Sequence, residues 1–349
     1  MSERGAPPPA HAEPRADLRA ELTAARAELA RAAAAVSAAL EAVERLARRV
    51  EEGAGEVAAT ALDQGAATAL DEKADEKAAT SHPTLSAPSD LSDPALAPLL
   101  ALLAAKSIQV KTLPTPEEGE EHLTHIALHM GERYAAVRLF YQRLKSTLGS
   151  GHPLTLNLGE EPQEHVSATC QLATDLHNLA FLSDYKYRRS PQYLLHARVN
   201  RVPRALNFLA GGWLERYAAA LAARLAARLL AERNAARAAA ALPPLRAALL
   251  KNPQIALPNG DDFELDLLLE VGGEALWVEL KTGDYQRHVA KYSRMSALLA
   301  LPPTRALMVL TDVSPQVCAS LSSVFQMRVL SVEELPAALE EALCALLPP

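Results

Sequence analysis

Three residues in the last third of the chain have the types and the spacing of a hydrolytic centre: Asp266 in FELDLLLEV, then Glu279 and Lys281 in EALWVELK. Both segments read as strands, joined by a turn at Gly272 and Gly273. Side chains alternate along a strand, so Glu279 and Lys281 point to one face, and a hairpin brings Asp266 alongside them. Two carboxylates and an ammonium at one end of a sheet suit a hard divalent cation with oxygen ligands and retained waters, Mg²⁺ (or Mn²⁺). Such a cation polarises a phosphoryl oxygen and lowers the pKa of a bound water, while the lysine orients or deprotonates that water and offsets developing charge. Carboxyl oxygens of Asp266 and Glu279 more than about 8 Å apart could not share one cation. The competing reading is a solvated Glu279–Lys281 ion pair, nearly neutral in energy. Leu276, Trp277 and Val278 tell against it, because they make the strand apolar. His122, His125 and His129 also fall on one helical stripe, but they lack a nearby fourth ligand and their spacing is unspecific.

The elements that must hold this centre follow from periodicity. A long helix over about 205 to 241 stops at Pro243 and Pro244. The two strands follow, then a helix from Tyr285 to Leu299, the buried-type strand RALMVLT, a short helix over Gln316 to Val324, the strand MRVLS and a last helix over Val332 to Leu347. That alternation predicts an α/β domain over residues 186–349. Residues 96–185 read as a mostly α-helical middle region. Leu123, Ile126, Met130, Tyr134, Val137, Tyr141, Leu144 and Leu148 make one apolar stripe there, a single core helix. A turn at Ser150 to Pro153, the short apolar run LTLNL and a further helix around Cys170 to Leu182 complete the region. Ahead of it, residues 1–16 are proline-rich and predicted disordered, and residues 53–95 form an acidic flexible linker. Between them, over 17–52, Leu22, Leu29, Val36, Val43 and Val50 alternate with Leu18, Ala25, Ala32, Ala39 and Leu46. These are the two rows of a coiled coil and predict a homo-oligomer through this helix.

Charge has to be read locally. The 349 residues carry a net charge of −7, which by itself argues against a nucleic-acid partner. Between Glu51 and Glu121, however, 14 acidic residues face only 4 basic ones, so the linker and its flank supply the excess. From Tyr185 to Ala205 the sign reverses: Lys186, Arg188, Arg189, Arg198, Arg201 and Arg204 occur without one acidic residue, interleaved with Tyr185, Tyr187 and Tyr193. Cations with aromatics suit backbone neutralisation and base stacking on single-stranded DNA, with RNA as the second substrate. Arg287, His288, Lys291 and Arg294 add a second basic stripe. Three scattered cysteines support neither a disulfide framework nor a cysteine-built zinc site. No secretory signal and no membrane-length apolar run is present, so the expected location is cytoplasmic with no membrane partner.

The ordered Asp, then Glu-x-Lys, resembles the PD-(D/E)xK superfamily of restriction-endonuclease-like nucleases. The run FLAGGWLERY at Phe208 to Tyr217, FELD at Phe263 to Asp266 and VELKTG at Val278 to Gly283 together are similar to the nuclease domain of the CRISPR type III ancillary endonucleases, which are fused to a CARF sensor for cyclic oligoadenylate. The resemblance covers roughly Tyr187 to Leu330 and implies a restriction-endonuclease-like α/β fold. It implies Glu215, Asp266 and Glu279 as metal ligands, Lys281 as the water-positioning base and Lys291 as a phosphate contact. Phe263, Glu264 and Leu280 depart from the family pattern, and residues 1–185 lack the strand, glycine-rich turn and helix succession of a Rossmann-like sensor. The expectation is a metal-dependent endonuclease acting on DNA, in defence or DNA repair. Its alternative is a catalytically inactive nuclease fold that binds nucleic acid or assembles through the coiled coil.

Overall fold

The computed structural model describes residues 90–347, apart from Pro116, Asp284 and residues 286–288. The described residues belong to a single compact unit. The heptad of 17–52, residues 53–89 of the linker and Arg287 therefore lie outside the described residues.

Helix α1 (Ala97–Ala105) and strand β1 (Gln109–Thr112) come first. The apolar stripe expected as one helix is two, α2 (Glu120–Glu132) and α3 (Tyr134–Thr147), broken at Arg133 where φ is −121° and ψ is 29°. Stripe residues Leu123 to Leu144 are nevertheless buried on both sides of the break. Periodicity could not show the break, since burial continues through it. Gly131, the poorest helix former in α2, sits in its last turn with its backbone against the ring of Tyr217. A Cβ there would lie 2.3 Å from the ring, and Tyr217 is itself fully buried. Gly131→Ala is therefore expected to destabilise by about 1–3 kcal/mol, against the gain its helix propensity would give, read as a lowered denaturant midpoint.

The middle region is less helical than expected. Beside α4 (Gln163–Asn178) it contains an antiparallel sheet in the order β2 (Leu154–Asn157), β4 (Leu194–Val199), β3 (Leu182–Arg188). The basic and tyrosine-rich stretch forms the β3–β4 hairpin of that sheet. The expected boundary between residues 185 and 186 falls inside β3, and one hydrophobic core runs from Leu123 to Leu347 across it. Alternation could not show β3, where Leu182 is the only fully buried residue, although β2 and β4 carry buried alternating rows, Leu154 and Leu156, and Leu195, Ala197 and Val199.

The rest of the chain is α/β, as the order of elements requires. After α5 (Pro203–Asn207) and a π turn over Phe208–Gly212, α6 (Trp213–Ala239) ends ahead of Pro243. Asn234 clamps the following loop, accepting from the Leu245 N–H at 2.7 Å and donating to its carbonyl at 3.0 Å. A five-stranded sheet has the order β11 (Arg328–Ser331), β10 (Ala306–Leu310), β9 (Glu274–Lys281), β8 (Leu267–Val271), β5 (Ala247–Lys251). Strands β9, β10 and β11 run parallel, and β8 and β5 are antiparallel to their neighbours. Gly272 and Gly273, with φ of 63° and 89°, supply the two left-handed positions of the tight β8–β9 turn. A third sheet pairs β1, β6 (Gln254–Ala256) and β7 (Asp262–Glu264). Leu276, Val278 and Leu280 of β9 join the core that contains α6 and α9 (Leu335–Leu346). By alternation Trp277, Glu279 and Lys281 share the opposite face of the sheet. Two further helices, α7 (Val289–Leu299) and α8 (Pro315–Phe325), complete the chain. Ser314 caps α8 with Pro315 at its first position. No helix among the described residues is long and apolar enough to cross a membrane.

Candidate active site

Register assembles the centre. Leu267 of β8 stands opposite Val278 of β9, so Asp266 follows in line with Glu279 just beyond the paired strand end. The Asp266 carboxylate Oδ2 accepts from the Leu280 backbone N–H at 2.7 Å and from Lys281 Nζ at 3.0 Å. The same ammonium lies 2.7 Å from Glu279 Oε1. One nitrogen in hydrogen-bonding range of both carboxylates places them well inside the separation that would forbid a shared cation. Asp266 and Glu279 are only 6% and 2% exposed, and the Lys281 side chain 24%. A solvated surface ion pair is thus excluded.

Two buried carboxylates around one ammonium leave an excess negative charge in a region of low dielectric. Burial and the Asp266 charge push the Glu279 carboxyl up to about 8, against the pull of Lys281. Burial pulls Lys281 down, but Glu279 and Asp266 outweigh it and hold the ammonium well above the ordinary lysine range. Glu279 Oε2 is buried and has no hydrogen-bond partner among the described residues. A buried acceptor without a donor is costly, and it marks the place where a cation would be accommodated.

Glu215 projects from the first turn of α6 and accepts a 2.5 Å hydrogen bond from Asn252 Nδ2. Burial, and then Asp266, raise its carboxyl above the usual range. Asn252 also donates its backbone N–H to the Asp266 carbonyl at 3.0 Å, linking the two acids. Among the described residues no three His, Cys, Asp or Glu side chains are grouped closely enough to hold a metal together. What is brought together is the Asp266–Glu279 pair with Lys281, while Glu215 stands beside it on Asn252. Of the histidine stripe, His129 Nε2 is engaged 3.0 Å from the Ala168 carbonyl.

The expected nucleic-acid contacts separate into two places. Lys291 and Arg294 are exposed on α7, and Lys291 Nζ lies 4.2 Å from the ring centroid of Phe263, three residues before Asp266. Arg188 ends β3, Arg189 begins the following turn and Arg201 follows β4, all three exposed and all on the three-stranded sheet rather than on the sheet of the carboxylates.

Sequence reasoning missed Asn252. Its signal was the Asn-Pro dipeptide after AALLK, a run whose alanines and leucines look helical but form β5. Asn252 has φ of 50°, a left-handed conformation that asparagine tolerates and alanine does not. Asn252→Gly and Asn252→Ala both delete the bond to Glu215. The alanine variant is expected to be less stable than the glycine variant by about 1 kcal/mol, measured by urea unfolding.

No family model matches the chain, and no curated protein matches it. Solved structures resemble it in shape. Protein VC1899 from Vibrio cholerae aligns with a TM-score of 0.42 at 17% identity, over 71% of this chain and 61% of that one. Can2 from Sulfobacillus thermosulfidooxidans, solved in complex with cyclic tetra-adenylate, aligns with a TM-score of 0.44 at 14% identity, over 71% of this chain and 59% of that one. The chain thus matches about three fifths of the length of either protein.

Proposed function

We propose that the chain is a metal-dependent endonuclease that hydrolyses phosphodiester bonds in DNA, with RNA as the second candidate substrate, in a defence or repair role. The observation that carries this reading is the buried Asp266–Glu279 pair gathered on Lys281, with Glu279 Oε2 unsatisfied among the described residues. The donor set fits Mg²⁺ or Mn²⁺, which commonly binds through one or two carboxylates and keeps several waters. Asp266 and Glu279 would hold it, and when bound it supplies an acidified water and polarises the phosphoryl group.

The remaining chemistry belongs to the chain. The Leu280 N–H fixes the orientation of Asp266, so the carboxylate is positioned before substrate arrives. Glu279 must give up the proton that burial favours before it can act as a ligand. Lys281, kept protonated, donates to the attacking water or to a phosphoryl oxygen and offsets the charge that builds there. Glu215, oriented by Asn252, would take its part as a third acid through an intervening water or by closing on the centre. Lys291 and Arg294 on α7, with Arg287 in the same stripe, would hold the strand, and Arg188, Arg189 and Arg201 would extend its path. Residues 17–52 would associate copies of the chain into a homo-oligomer.

Labelled single- and double-stranded DNA and RNA, incubated with the purified chain and Mg²⁺ or Mn²⁺, test the reading. Cleavage of at least one substrate is expected, strongest on single-stranded DNA. Metal-independent binding without cleavage, surviving Asp266→Ala and Glu279→Ala, would instead identify an inactive nuclease fold.

A further inference from the structure

A cleft of 1320 Å³ is lined by Glu215 and Asn252, by three cations with no part in the carboxylate centre, Arg204, Arg216 and Lys251, and by the acidic segment Glu117, Glu118, Glu120 and Glu121. The cations come from α5, α6 and β5, and Arg216 and Lys251 are the chain neighbours of Glu215 and Asn252. All three are engaged by the acidic turn that enters α2. Arg216 Nη2 lies 3.1 Å from Glu117 Oε2 and 3.3 Å from Glu120 Oε2. Lys251 Nζ lies 2.7 Å from Glu120 Oε1, and Arg204 Nε 3.7 Å from Glu117 Oε2. Arg204 also donates through Nη2 to the Glu118 carbonyl. Burial raises the Glu120 carboxyl, but Lys251 and Arg216 outweigh it and hold the group below the usual range.

Three cations on separate elements, beside a phosphodiesterase-type centre, have the chemistry that seats successive backbone phosphates. The two carboxylates stand where those phosphates would. The outer contact is weak by construction, since Arg204 and Glu117 are 46% and 49% exposed and such pairs are nearly neutral in energy. A polyanion that displaces Glu117 gives up this weak contact and also the 3.1 Å contact to Arg216, whose side chain is 12% exposed and keeps Glu120 as a second partner. We propose that Arg204, Arg216 and Lys251 form a seat for the phosphate backbone of a nucleic-acid strand, and that the Glu117–Glu120 turn occupies it in the free protein as a competing anion. The proposal rests on the nuclease reading for the identity of its strand.

Anisotropy of a fluorescein-labelled single-stranded DNA oligonucleotide, titrated with the full-length chain in EDTA at a series of salt concentrations, tests it. EDTA removes hydrolysis from the readout, so binding at the seat and cleavage at the carboxylates succeed or fail separately. Glu117→Gln is expected to tighten binding about fivefold at low salt. Arg204→Ala is expected to weaken it and to reduce the slope of log affinity against log salt by about 0.7. Glu340→Gln, which removes an exposed carboxylate paired with Arg228 outside this cleft, controls for net charge. Unchanged affinity in Glu117→Gln, an unaltered slope in Arg204→Ala, or equal tightening in Glu340→Gln each overturns the proposal. All three substituted positions are half exposed, and matched thermal melts confirm that the variants are folded.

Discussion

Lys281→Ala is expected to lower cleavage about 10²–10³-fold, the scale of removing a preorganised charge-stabilising donor. It should also weaken the fold, which distinguishes this lysine from a surface residue. Its ammonium is the shared partner of two carboxylates that are 6% and 2% exposed, and breaking a buried ion pair from one side costs about 3–5 kcal/mol. The loss should be largest near pH 9, where Glu279 has given up its proton. It should shrink near pH 6, where Glu279 keeps its proton. Lys281→Arg separates the two effects. It restores a cation and most of the stability, but its planar fork cannot reproduce a point donor within 3.0 Å of Asp266 and 2.7 Å of Glu279, so cleavage stays low. Equal stability of wild type and Lys281→Ala across this pH range would contradict the buried cluster.

Divalent-metal binding should be strongly pH-dependent. Glu279 titrates about 8 in the folded chain against an ordinary value of 4.5. Between these values the native state holds a proton that the unfolded chain has released, so the metal-free protein loses stability as pH rises through that window. A cation must displace the same proton. Its affinity is therefore expected to climb by about tenfold per pH unit up to pH 8 and then level off, measured calorimetrically with Mn²⁺. Proton release should accompany binding at pH 6.5 and vanish at pH 9. Glu279→Gln removes the pH dependence together with most of the affinity. A binding constant that is flat from pH 6 to 8 would show that Glu279 is not a ligand.

The candidate site residues Asp266, Glu279 and Lys281 were legible because their signal is local. A strand fixes Glu279 and Lys281 on one face, and a Gly-Gly turn fixes the partner strand, so Asp266 could be placed without knowing the rest of the sheet. Strand β9 was read with its ends where the structure has them, and β10, β11 and α8 within a residue or two. What remained hidden depends on packing between distant segments. Strand β5 is built from alanine and leucine, whose helix preference is overridden by pairing with β8. The break at Arg133 leaves the apolar stripe intact, so periodicity runs through it. Asn252 carries no motif, and its role appears only where β5 ends beside Asp266 and the first turn of α6. The turn that covers Arg204, Arg216 and Lys251 lies between 84 and 134 residues away in sequence from them, and its acidity had been read as the flank of a solvated linker.

The most direct measurement is cleavage of one labelled single-stranded DNA by wild type and Asp266→Asn in parallel, with Mg²⁺, with Mn²⁺ and with EDTA. The substitution keeps the size of Asp266 and removes its charge. The account predicts product from wild type with Mg²⁺ or Mn²⁺, none with EDTA, and none above background from Asp266→Asn under any condition. Equal product from the two proteins, or product from wild type that persists in EDTA, would contradict it.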